Sequence, residues 1–84
     1  MKTAAGSPPV NAAQVRMARA GLDWSLDDLA EASGVNRNMI ASYERGLFEG
    51  EPATLQKIRR ALEKAGIEFL AGEMPGVRVK AKRR

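Results

Sequence analysis

No cysteine and no histidine occur in the 84-residue chain. Their absence removes disulfides, thiolate nucleophiles, imidazole general bases and the usual zinc sites together. Carboxylates, lysines and hydroxyls remain for chemistry, but a domain this small buries only about 60–65% of its unfolded surface, too little to enclose a large enzyme pocket. No catalytic residue, metal ligand or cofactor is therefore expected. Long apolar runs are missing too, so no segment reads as a membrane span. The opening MKTAAGSPP lacks the apolar core of a signal peptide. The lack of cysteine fits a reducing compartment, and the expected location is cytoplasmic.

Positive charge is what the chain has in excess. Fourteen Lys and Arg oppose ten Asp and Glu for a formal charge of +4, with a pI near 10.0. That balance favours a polyanionic partner such as nucleic acid. Asp27, Asp28 and Glu31 fall near a helix start, where carboxylates complement the helix dipole, so they read as that rather than as metal ligands.

The organising stretch runs from Ser25 to Gly46, SLDDLAEASGVNRNMIASYERG. Ser25 with Asp28 three residues on is a capping box, which predicts a helix starting at Leu26. Gly34 ends it, since glycine takes the left-handed backbone of a helix C-terminus without steric cost. Asn36 caps a second helix that runs to Arg45 and is closed by Gly46. Two short helices about a tight glycine-containing turn have the spacing of a DNA-reading helix-turn-helix. Leu26, Leu29 and Ala30 face inward on the first. Val35, Ile40 and Tyr43 do so for the second, which leaves Arg37, Asn38, Ala41, Ser42 and Arg45 outward.

Residues 1–9 are small, polar and broken by Pro8-Pro9, and read as a disordered lead-in. Asn11 with Gln14 forms another capping box, with Val10 set to staple onto Val15, and opens a helix expected to end before Gly21. Val15, Ala18 and Leu22 supply its inward stripe. Trp24 with Leu29, and Val35 with Ile40, repeat the staple. After the loop from Leu47 to Glu51, Pro52 suits a first helical turn. Leu55, Ile58 and Leu62 form a buried stripe widened by Ala61 and Ala65, and Gly66 is the stop. Gln56, Lys57, Arg59, Arg60, Glu63 and Lys64 read as a solvated face. Beyond Gly66 the period changes to two: Ile67, Phe69 and Ala71, then the turn GEMPG, then Val77, Val79 and Ala81. Residues 67–81 thus read as a β-hairpin, and a lone ribbon must pack on the helices or pair with another chain. Residues 82–84 form a basic tail.

Arg19 ahead of WSLDDLAEASGVNRNMI, the ERG at Glu44 to Gly46, and Thr54-Leu55 together make the run from Val15 to Leu62 resemble the phage-repressor and Cro type of regulator, the xenobiotic-response-element family. The resemblance implies a mainly α fold, a compact four- to five-helix repressor-type helix-turn-helix domain over residues 10–66, followed by the short C-terminal β-hairpin. It implies a transcriptional regulator, most often a repressor, that works as a homodimer on a palindromic operator in double-stranded DNA. Position by position, Asn36, Arg37, Asn38 and Ser42 fall where family members contact base edges. Ser25 and Arg45 fall where they contact phosphate. The physical chemistry agrees: Arg can bridge guanine O6 and N7, and Asn can bridge adenine N6 and N7. Met39 can touch a thymine methyl or fill a gap in the core.

Two departures from the family pattern weaken the phosphate grip. A glutamine common just inside helix 2 is Leu26 here, and the loop after Gly46 carries Phe48, Glu49 and Glu51. Arg19 and Glu44 match an internal ion pair of the family. The alternative function is an antitoxin-type DNA-binding protein whose C-terminal hairpin also holds a partner protein. The hairpin can serve a dimer contact or cover its own helices, and the sequence leaves both open.

Overall fold

The computed structural model describes residues 10–47, 49–72 and 74–80. The expected lead-in over 1–9 and the tail over 82–84 lie outside the described residues, as do Phe48, Glu73 and Ala81. The order is α1 (Ala12–Leu22), α2 (Leu26–Ser33), α3 (Arg37–Glu44), α4 (Pro52–Lys64), β1 (Ile67–Leu70) and β2 (Gly76–Val79). It is the compact, mainly helical domain with a terminal hairpin that the sequence predicts.

Local side-chain chemistry starts three of the four helices. The Asn11 side chain accepts from the Gln14 amide at 2.8 Å, and the Asn11 amide donates to Gln14 Oε1 at 3.1 Å. Ser25 and Asp28 exchange the same two bonds at 3.0 and 2.8 Å. Asn36 Oδ1 accepts from the amides of Asn38 at 2.8 Å and Met39 at 3.3 Å. Each such cap satisfies an otherwise unpaired N–H and is worth about 1 kcal/mol. Helix α4 has no side-chain cap and starts instead on Pro52, whose missing N–H costs nothing in the first turn.

Helix α1 does not stop before Gly21. It continues to Leu22 and ends on Asp23, which takes the left-handed conformation at φ 60°, ψ 41°. Gly21 has a different task. A Cβ there would sit 2.6 Å from Val79 Cγ2, so glycine lets β2 lie directly against α1. Gly34, by contrast, does end α2, at φ 76°.

Val15, Ala18, Leu29, Val35, Ile40, Tyr43, Ile58, Leu62, Ile67 and Phe69 form one continuous core. Val10, Leu22, Trp24, Leu26, Leu55 and Val77 pack on its margin, which seats the expected staples at Val10 and Trp24. The stripe of α4 faces inward as its spacing requires. Its solvated face needs one correction: Arg59 is buried, with its guanidinium 5.3 Å from the centre of the Phe69 ring and its Nε donating to Glu63 at 2.8 Å. A long aliphatic stem with a flat cation suits the edge of an aromatic core.

The hairpin is antiparallel, with Ile67 opposite Val79, Phe69 opposite Val77 and Leu70 opposite Gly76. It covers its own helices, β2 lying on α1 and β1 on α4. Ile67 and Phe69 enter the core and Val77 joins its edge, whereas Val79, expected inward, is 43% exposed at the rim. The buried Gln14 holds the ribbon in place, because its Nε2 donates at 2.9 Å to both Leu70 O and Gly76 O. One side chain therefore joins the cap of α1 and clasps both strands of the hairpin at its turn end. No helix among the described residues is long and apolar enough to cross a membrane.

Candidate nucleic-acid interface

Helix α3 is positioned by the residues it buries. Ile40, Tyr43 and Glu44 face the core. Glu44 meets Arg19 of α1 through paired bonds, Nε to Oε2 and Nη2 to Oε1, both 2.7 Å. The same guanidinium donates to Trp24 O at 2.9 Å, so it ties α1, the α1–α2 connection and α3 at one point. The Glu44 side chain is only 5% exposed and Arg19 21%. The hydrogen bond to Glu44, ahead of the opposing effect of burial, holds the Arg19 pKa above its ordinary value. Arg16 adds a hydrogen bond to the Glu44 carbonyl. Tyr43 donates its hydroxyl to Val10 O at 2.9 Å, and burial pushes its pKa upward.

With those residues turned inward, a 3.6-residue period places Asn38, Ser42 and Arg45 on the opposite side. Asn38 and Arg45 are exposed and Ser42 is half-buried. None of the three side chains has a hydrogen bond or ion pair with another described residue, so amide, hydroxyl and guanidinium all remain available to a ligand. Asn38, Met39, Ser42 and Leu47 line an open concavity of about 320 Å³. The core-filling alternative for Met39 is overturned, since this side chain is 40% exposed. Leu47 reaches the same surface because its amide bonds Ser42 O at 2.9 Å and folds the chain back over the helix end.

Asn36 lies at the start of α3, but its carbonyl oxygen is spent on the cap. Only its amide donors are left, which removes the two-point pairing with adenine that needs both groups. Arg37 is not free either: its Nε bonds Asp27 Oδ1 at 2.9 Å, with side chains 53% and 79% exposed. The Ser25 hydroxyl oxygen accepts from the Asp28 amide, leaving its own proton to donate. The structure thus gathers Asn36, Arg37, Asn38, Ser42 and Arg45 onto α3 and its ends, sets Ser25 at the start of α2, and puts Arg19 with Glu44 behind them. Asp27 and Leu47 are the residues that sequence reasoning left out of this surface. The i-to-i+10 separation of Asp27 and Arg37 carries no local signal, and Leu47 looked like ordinary loop.

Comparison with known proteins bears on the same residues. A helix-turn-helix family model matches residues 15–69, from the middle of α1 to β1. Among curated proteins, uncharacterized HTH-type transcriptional regulators of Mycobacterium bovis and of Mycobacterium tuberculosis are 40% identical over 50 residues. That similarity covers 60% of this chain and 20% of each relative, so the chain spans a small part of those longer proteins. The matching family model takes in the Ser25 and Asn36 caps, the Arg19–Glu44 pair and the exposed face of α3, and by it the chain belongs to the Cro/C1-type helix-turn-helix family.

Proposed function

We propose that this domain is a non-enzymatic transcriptional regulator, a repressor, that reads double-stranded DNA in the major groove as a homodimer on a palindromic operator. The observation that carries the reading is the face of α3. Asn38, Ser42 and Arg45 point away from the core without partners among the described residues, on a helix locked from behind by Arg19 and Glu44. Asn38 is the adenine reader, and Arg37, released from Asp27, pairs with guanine O6 and N7. Asn36 and Ser42 add single hydrogen bonds. Arg45 grips a phosphate with its guanidinium fork, and Ser25 donates to another at the positive end of α2. Such a protein works in the cytoplasm, on the nucleoid.

The dimer has its support at the seam of α1 and β2. The Lys80 amide bonds Gly66 O at 2.8 Å, so in an antiparallel ladder Val77 and Val79 direct their backbone groups to the outer edge of β2. Among the described residues that edge pairs with no strand. Exposed Val79 lies beside it, and exposed Met17 sits one turn before Gly21 on the same face of α1. A second copy pairing there would cover apolar surface and edge together.

Selection of binding sites from random duplexes tests the whole reading. A two-fold symmetric site is expected, with half-site centres about 34 Å apart. Arg37→Ala and Asn38→Ala should each lose about 1–3 kcal/mol of discrimination at one base pair. Absence of any selected sequence would refute DNA reading. For the dimer, Val79→Lys should shift sedimentation from dimer to monomer, and a wild-type protein that sediments as a monomer both free and on its site would refute it.

A further inference from the structure

Met39 has no place in the core, yet it stands on the face of α3 that carries Asn38 and Ser42. With Leu47, which is also exposed, it walls one side of the 320 Å³ concavity whose other walls are those two polar residues. Among the described residues no carboxylate lines the hollow. A thioether and an isobutyl group offer little to a hydrogen-bonding ligand. The edges of base pairs in a major groove are donors and acceptors with one apolar exception, the C5-methyl of thymine. The hollow shares its polar walls with the surface proposed to read DNA, and the Asn38 amide beside it suits adenine, the partner of thymine. Its occupant is therefore sought on the same duplex. Resting on the DNA-reading function above, we propose that Met39 and Leu47 form a methyl-reading subsite that selects thymine at or next to the A·T pair read by Asn38.

Deoxyuridine deletes the thymine methyl and leaves pairing unchanged, so it isolates this contact. Each thymine of the selected half-site is replaced in turn, and affinity is measured by titration of labelled duplex. One position is expected to lose about three- to fourfold in affinity, the size of one buried methyl group, while the others stay within error. Met39→Ala should weaken binding by a similar factor and become indifferent to deoxyuridine at that position. Met39→Leu should keep the discrimination. Because the side chain is exposed, all three proteins should melt alike. Equal wild-type affinity for thymine and deoxyuridine at every position overturns the subsite while leaving DNA reading intact. So does a Met39→Ala protein that still discriminates. Failure to select any site overturns the DNA reading itself and the subsite with it.

Discussion

Two arginine–carboxylate pairs flank α3, and they share little beyond their chemistry. Arg19 meets Glu44 through two parallel bonds of 2.7 Å, with the carboxylate side chain 5% exposed and a third bond from the same guanidinium to Trp24 O. Arg37 meets Asp27 through a 2.9 Å contact between side chains that are both mostly in water. In the first pair, low local dielectric strengthens the attraction and makes an unpaired partner expensive. In the second, solvent screens the charges, and an exposed pair is worth about 0–1 kcal/mol. The buried pair fixes α3 against α1. The exposed one leaves Arg37 able to move at little cost, as the proposed pairing with guanine requires.

Breaking the buried pair should have the largest effect. Glu44→Ala leaves the Arg19 guanidinium half enclosed without its partner, and a loss of about 2–3 kcal/mol is expected in urea unfolding, with DNA binding lost in parallel. Replacing both members, Arg19→Met with Glu44→Leu, should recover most of that stability, since matched apolar side chains leave no stranded charge. A double variant as unstable as the single one would mean that the bond to Trp24 O and the geometry of the fork matter more than the charge.

Tyr43 extends the buried side of the comparison and gives it a pH dependence. Its pKa is raised by burial, so the folded chain holds the phenolic proton more tightly than the unfolded chain does. This contribution is complete below pH about 10, the ordinary tyrosine value, and declines as pH rises from there through the folded value. Tyr43→Phe should cost about 1 kcal/mol at neutral pH through the lost bond to Val10 O, and should flatten the alkaline decline in melting temperature. An unchanged alkaline slope would place that sensitivity elsewhere.

The smallest expected change belongs to the exposed pair. Asp27→Asn should alter stability by less than about 0.5 kcal/mol. It should tighten operator binding about threefold at low salt by releasing Arg37 and removing a negative charge near the phosphates, and the gain should fade at high salt. Weaker binding by this variant would reverse the picture, because Asp27 would then be presenting Arg37 to the groove.

The helix starts were legible because capping is chemistry between residues three apart. Asn11 with Gln14, Ser25 with Asp28, and Asn36 with the following amides need no tertiary contact to be recognised. The same holds for the inward stripes and for the change of period after Gly66. At the candidate site, Asn38, Ser42 and Arg45 could be placed outward from helical spacing alone, since a helix that buries Ile40 and Tyr43 must expose them.

What misled the sequence reading lay in each case at long range. Gly21 resembles a helix stop, but it is small because Val79, far along the chain, presses against it. Arg59 falls on the polar side of α4 by periodicity, and only the arrival of Phe69 buries it. Gln14 announces its cap but not its bonds to Leu70 and Gly76. Met39 is apolar and sits beside the core stripe, so spacing could not separate a packed methionine from an exposed one. The sequence by itself determined where the helices begin and which face of α3 is polar, because those properties are decided within one or two helical turns. The tertiary structure alone decided which arginines are fixed and which are movable, because burial and the placing of a carboxylate from another helix depend on how distant segments pack.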